Sequence, residues 1–108
     1  MSWKVVYTTQ AKQDLRNIYE YIAYTLLAPD TAAGQARRVM KEIRSLDEMP
    51  MRFRCYEQEP WHSRGLRCFS VDRYLVFYLP EPATGTVFVV SIMYGGRDIS
   101  QRLPDVEI

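Results

Sequence analysis

Eleven of the 14 basic residues in this chain are arginines, and they are unevenly spread. Arg52, Arg54, Arg64, Arg67 and Arg73 stand in one stretch against Glu57, Glu59 and Asp72. A planar guanidinium fork suits phosphate and carboxylate oxygens better than an ammonium does. The stretch is therefore the first candidate for anion recognition, although a solvated arginine-rich surface has the same composition. Arg97 follows Gly95-Gly96, a pair that lets the backbone turn out of a strand and delivers the arginine at its rim. Arg97 next to Asp98 also has the makings of a simple turn ion pair. His62, the one histidine, stands beside Trp61. It could act as a general acid, stack on a base, or sit on a loop that the tryptophan anchors. Glu57 and Glu59, two apart, share a face only in a strand and carry no specific acid–base signal. Cys55 and Cys68 with a single histidine cannot build a zinc site by the usual spacings. No metal and no other cofactor is expected, and Cys68 reads as a small buried hydrophobe.

These side chains need a scaffold, and the chain supplies one of ordinary globular composition. It has 108 residues, 47% hydrophobic and 25% charged, with a net charge of +1. That length makes one domain, residues 1–108, with a single core. No signal peptide and no membrane-length apolar segment is visible, so a soluble cytoplasmic protein with no membrane partner is expected. Tyr74 to Leu79 and Thr86 to Tyr94 are apolar runs rich in aromatic and β-branched residues, and both read as strands. Pro80 to Gly85 is a loop between them, and Asp72-Arg73 marks the turn before the first. Leu66 to Val71 is placed to add a third antiparallel strand.

Upstream, Trp3 to Tyr7 is a short strand, and Thr8-Thr9 offers a capping hydroxyl for a helix. Ala11, Leu15, Ile18, Ile22 and Leu26 recur on one helical face, with Lys12, Arg16 and Glu20 along another side. Pro29 suits the first turn of a second helix, whose inner face carries Ala32, Ala36, Val39, Met40, Ile43 and Leu46. Arg37, Arg38, Lys41 and Arg44 lie outside it. The order is β-α-α-β-β-β, an α+β fold. It is expected as an antiparallel sheet with an antiparallel helix pair on one face, because the pair returns the chain to the end where the first strand finished. The other face is left for a partner or substrate unless the C-terminal tail covers it. Met49 to Ser63 is a long irregular connection of the kind that often carries function.

The start YTTQAKQDL, the spacing of Ile43, Leu46 and Pro50, GLR before the hairpin, YLVFYLP and the ending SIMYGGRDISQRL together resemble the RelE/ParE family of bacterial toxins. The resemblance runs from Val5 to Leu103. It implies the toxin half of a type II toxin–antitoxin module, a cognate antitoxin protein as partner, and growth inhibition when the toxin is free. The family holds two chemistries. RelE-like members cut mRNA in the ribosome without metal, whereas ParE-like members poison DNA gyrase.

Metal-free RNA cleavage requires an activated 2′-hydroxyl, a protonated leaving oxygen and a stabilised phosphorane. The resemblance places Arg97 at the phosphate and matches Arg67 to a basic strand residue. If the chain is a nuclease, Arg97, Arg67, His62 and Tyr94 are its catalytic candidates. Tyr94 would donate a proton, or else be a tyrosine with its ring packed and its hydroxyl in water. Arg67 can equally face solvent or the antitoxin. The sequence departs from the nuclease pattern in two places. Tyr74 stands where RelE-like chains open the third strand with arginine, and Arg73 beside it would point from the opposite face. Leu103 and Pro104 stand where nuclease members end on tyrosine or histidine–tyrosine. The reading leans to a ParE-like inhibitor, with Arg67, Arg73 and Arg97 as target-binding residues. Ribosome-dependent mRNA cleavage is the alternative, and a small nucleic-acid-binding domain that uses the same arginines on phosphates is the second. Oligomeric state is open.

Overall fold

The computed structural model describes residues 2–95, and its elements follow the order read from the sequence. Strand β1 is Lys4–Tyr7, helix α1 is Thr9–Glu20 and helix α2 is Pro29–Arg44; β2 is Arg67–Val71, β3 is Tyr74–Glu81 and β4 is Thr86–Tyr94. Thr8 caps α1 as expected, its hydroxyl accepting from the Ala11 amide at 3.2 Å. Pro29 opens α2, where its missing N–H costs nothing.

The end of α1 differs from the regular helix expected through Leu26. The chain widens into a π-helical turn at Tyr21–Thr25, and Leu27 then adopts a positive φ of 53°. A π turn takes more residues per turn and rotates the next side chains off the stripe. Leu26 is accordingly 55% exposed, and Ile22 packs with Ala23 and Ala32 between the helices. On α2, Met40 is exposed and Gln35 is buried, so the inner face is rotated slightly from the apolar count.

The strand order is β1-β4-β3-β2. β2, β3 and β4 form the expected antiparallel meander, with Arg67 opposite Tyr78 and Tyr74 opposite Tyr94. β1, however, pairs with β4 in parallel, Lys4 beside Thr86 and Tyr7 beside Val89. The sheet is mixed, and the expectation of an antiparallel sheet throughout is corrected here. The reason lies in where the helices deliver the chain. α1 starts at the end of β1 and carries on along β4, and α2 brings the chain back to where β1 begins. The Trp3 amide bonds the Asp47 carbonyl at 2.7 Å. β2 thus starts at the same end as β1, and two reversals later β4 runs parallel to it.

One face of the sheet meets the helices. Phe69, Val71, Val76, Tyr78, Val87, Val89 and Ile92 pack against Ala11, Val39, Ile43 and Leu46, with Leu15 and Ile18 partly buried beside them. Each such side chain contributes about 1.5–3 kcal/mol on burial. The second face, expected to be left for a partner or substrate unless the C-terminal tail covered it, is partly roofed by the long connection. Trp61 and Tyr56 from the long connection pack on Leu66, Cys68, Phe77, Val90 and Met93. That connection wraps the β2 edge. Phe53 stacks on Phe69 at 4.6 Å on the helix face, Cys55 bridges Arg67 at the edge, and Tyr56 meets Phe77 edge-on beyond it.

Candidate functional site

Two regions, one at each end of the meander, hold Arg67 and Tyr94 respectively. The lower is built on Arg67, the first residue of β2. Its guanidinium donates to the Phe53 carbonyl at 2.6 Å and to the Met51 carbonyl at 3.1 Å. Across the ladder Tyr78 donates its phenol to the Pro50 carbonyl at 2.6 Å. The carbonyls of Pro50, Met51 and Phe53 lie in or just after the short 3-10 turn Pro50–Arg52, and these two side chains satisfy them. Arg52 is likewise engaged. It reaches the Glu48 carbonyl at 2.6 Å and the Ser45 hydroxyl at 2.7 Å while lying over the Phe53 ring. Burial pushes the Tyr78 phenol up to about 12, so it holds its proton through the physiological range. Burial also raises the Cys68 thiol, as a structural cysteine requires.

His62 belongs elsewhere. It follows Trp61 on the far face, whereas Arg67 and Tyr78 lie on the helix face. Its ring stands 3.5 Å from Glu59, and that carboxylate accepts from the Ser63 hydroxyl and amide, contacts that hold its pKa below the ordinary value. The anchoring tryptophan, 9% exposed, makes this a loop histidine fastened to the core edge.

The upper region is the rim where β3 begins and β4 ends. Tyr74 and Tyr94 meet edge to face with ring centroids 5.9 Å apart. Burial, with Tyr94 and Tyr21 nearby, raises the Tyr74 phenol pKa. Tyr94 is 42% exposed: the ring is packed on one side and open on the other. Below them a cleft of about 1030 Å³ runs between the rim and the helix pair, lined among others by Asp14, Asn17, Ile18, Tyr21, Gln35, Arg73 and Ser91. The wall is fixed by Asp72, which holds φ 54° in the β2–β3 turn, a conformation aspartate tolerates. Arg38 and Gln35 both donate to it at 2.9 Å, and these bonds hold its carboxyl below the ordinary value. Arg73 is exposed, and its side chain has no hydrogen bond among the described residues. Arg97 lies outside the described residues.

Among the described residues, the catalytic candidates Arg67, His62 and Tyr94 are therefore not brought together. Arg67 sits opposite Tyr78 and Tyr94 opposite Tyr74, four residues apart on β3, about 13 Å at the rise of a strand. His62 follows Trp61, which packs on the other face from Tyr78, the partner of Arg67. Among the described residues no group of three His, Cys, Asp or Glu could hold a metal ion, and no helix is long and apolar enough to cross a membrane. The sequence reading missed Asp14, whose carboxylate joins α1 to β4 through the Ser91 hydroxyl and the Ile92 amide. The signal was its spacing, three from Ala11 and four from Ile18, which sets an acid on the apolar stripe.

Residues 5–99 match the model of the ParE toxin of the type II toxin–antitoxin system, parDE. The chain belongs to the ParE toxin family. Its fold recurs in solved structures of low sequence identity. The chromosomal ParDE system of P. aeruginosa superposes with TM-score 0.72 at 15% identity, covering 86% of this chain and 96% of that one. The toxin–antitoxin complex RelBE2 of Mycobacterium tuberculosis gives TM-score 0.63 at 19% identity, covering 87% and 99%. A free double arginine-to-alanine mutant of the E. coli toxin RelE gives TM-score 0.61 at 13% identity, covering 95% of each chain. No curated protein sequence matches the chain. Membership in the ParE family makes this chain the toxin component of a type II module and agrees with the ParE-like lean of the sequence. The β-α-α-β-β-β order and the paired helices on one sheet face are those of these relatives.

Proposed function

We propose that this ParE-family toxin is a non-catalytic inhibitor of DNA gyrase, held inactive by a cognate antitoxin, and that it meets its target through the upper rim. The observation that carries this is the separation of Arg67 from the rim. Its Nη1 is bonded to two backbone carbonyls, which ties the side chain to the scaffold at the lower edge, although Nε and Nη2 keep their donors. With His62 beside Trp61, which packs on the opposite face, and Tyr94 an estimated 13 Å along the strand, no acid, base and phosphate clamp converge on one scissile bond among the described residues. Losing one preorganised stabilising contact typically costs 10²–10³ in rate, about 2.7–4 kcal/mol. The rim has what a binding surface needs: exposed Tyr94, the Tyr74 ring behind it and the exposed Arg73. Arg97 joins Arg73 in this proposal as a target contact, while Arg67 moves from contact to support.

A gyrase supercoiling assay set beside a ribosome-dependent mRNA cleavage assay tests the reading on the purified chain. Inhibited supercoiling with intact mRNA is the expected result. Codon-dependent cleavage in the ribosome that disappears in Arg67→Ala would assign the chain to the nuclease branch instead. The antitoxin side is tested by co-expressing the product of an adjacent reading frame, which should restore growth and co-purify.

A further inference from the structure

β4 is longer than the strand beside it. The parallel ladder ends at Tyr7 opposite Val89, so from Val90 onward that edge of β4 has no strand neighbour among the described residues. The antiparallel ladder on the other side is irregular at the same place. Phe77 pairs with Ser91 and Tyr78 with Val89, leaving Val90 as the extra residue of a bulge. An unpaired edge next to a bulge ought to be loose, and its polar groups require partners.

The start of α1 provides them. The Thr8 amide bonds the Val89 carbonyl at 3.0 Å, and its hydroxyl lies 2.9 Å from the Val89 carbonyl and 3.1 Å from that of Val90. Two turns on, Asp14 Oδ2 accepts the Ser91 hydroxyl at 2.8 Å and the Ile92 amide at 3.0 Å, and Oδ1 accepts the Gln10 amide at 2.8 Å. Side chains of one helix thus stand in for the missing continuation of β1. The Gly95 amide bonds back to the Arg73 carbonyl, so Ile92 and Tyr94 turn their backbone groups towards α1, and Ser91, Met93 and Gly95 towards β3. Among the described residues, Asp14 is the last side chain to grip the α1 side of β4 before Tyr94.

We infer that Asp14 is a positioning residue for target inhibition. By clamping Ser91 and Ile92 it fixes the direction in which β4 leaves the sheet, and with it the placement of the Tyr74–Tyr94 rim. This rests on the rim being the target surface, as proposed above. A carboxylate suits the task because it has only acceptors and one oxygen can take both donors. Asparagine can do the same with its carbonyl oxygen, provided the Gln10 amide turns over to accept from the new NH₂. Alanine leaves the Ile92 amide without a partner.

The test uses the full chain as wild type, Asp14→Ala and Asp14→Asn, with amide exchange at Ile92 and at Gly95, whose amide is bonded to the Arg73 carbonyl, followed alongside inhibition of supercoiling. In Asp14→Ala both amides should exchange about ten- to a hundredfold faster while Val76 and Phe77 are unchanged. Inhibition should fall about tenfold or more at equal folded concentration. Asp14→Asn should restore both to within roughly threefold of wild type, a rescue that loss of charge at a contact residue would not give. If Asp14→Ala does not fold, Asp14→Ser, too short to reach Ile92, takes its place. Fast exchange with undiminished inhibition overturns the inference, as does unchanged exchange. Wild type that leaves gyrase untouched defeats the reading of function instead, and the exchange data then decide the clamp on their own.

Discussion

Arg67 and Arg73 flank the same short strand, and their surroundings differ in kind. At the lower end of β2 a guanidinium is surrounded by acceptors from its own chain, the carbonyls of Met51 and Phe53, with the Tyr78 phenol beside it on that of Pro50. At the upper end Arg73 stands exposed beside a cleft and a tyrosine pair. The two arginines are indistinguishable by type. What separates them is whether an irregular segment with unpaired carbonyls lies within reach. The lower end spends its polar groups on holding the long connection in place. At the upper end Arg73 makes no side-chain hydrogen bond among the described residues.

That contrast can be broken or sharpened by experiment. Phe69 lies between Phe53 and Tyr78 in the lower region, and Phe69→Ala should cost about 3–5 kcal/mol in urea denaturation. Arg67→Met keeps the stem and removes the donors. A loss of about 1.5–3 kcal/mol is expected for hydrogen bonds to a charged group, with inhibition per folded molecule unchanged. Should Arg67→Met keep its stability and lose its activity, the lower region would be the functional one and the contrast would be reversed. Tyr94→Ala and Arg73→Ala should do the opposite. Stability should move within about 0.5 kcal/mol, while supercoiling inhibition falls roughly tenfold.

The smallest effect is in acid. Hydrogen bonds from Arg38 and Gln35 keep the folded pKa of Asp72 below its ordinary 3.8. A depressed carboxyl contributes its full stability above the unfolded value and loses it as pH falls through the folded one. Asp72→Asn should therefore flatten the stability curve below about pH 3.8, measured by thermal melting across that range.

Much of the scaffold could be read from the chain because burial writes itself in periods. The runs Tyr74 to Leu79 and Thr86 to Tyr94 are strands, and Leu15, Ile18, Val39 and Ile43 sit on the faces their spacing assigns. The direction of β1 was not legible in this way. Apolar spacing says which face of a helix is inside but not which way its axis runs over the sheet, and α1 continues along β4 instead of turning back. The roof of Trp61 and Tyr56 was hidden for a similar reason, since a chain without regular structure has no period to read. At the site, residue types were legible and partners were not. Arg67 stands out by its type, but carbonyl acceptors in a turn leave no mark in a sequence. Asp14 does not stand out, because a helical acid suggests solvent, although its spacing from Ala11 and Ile18 places it on the stripe.

The parallel pairing of β1 with β4 also has a kinetic meaning. The bonds that complete the rim join residues far apart in the chain, 78 positions between Asp14 and Ile92 and 82 between Thr8 and Val90. Loop closure over such separations comes late, after local turns and hairpins have formed. During synthesis α1 and α2 emerge first and have no β4 to grip. A ribosome translating this message therefore carries a nascent chain whose rim is still unassembled until the last strand has been made. The topology thus delays the appearance of a finished inhibitor, and a partner that recognises the early helix pair has that interval in which to reach it.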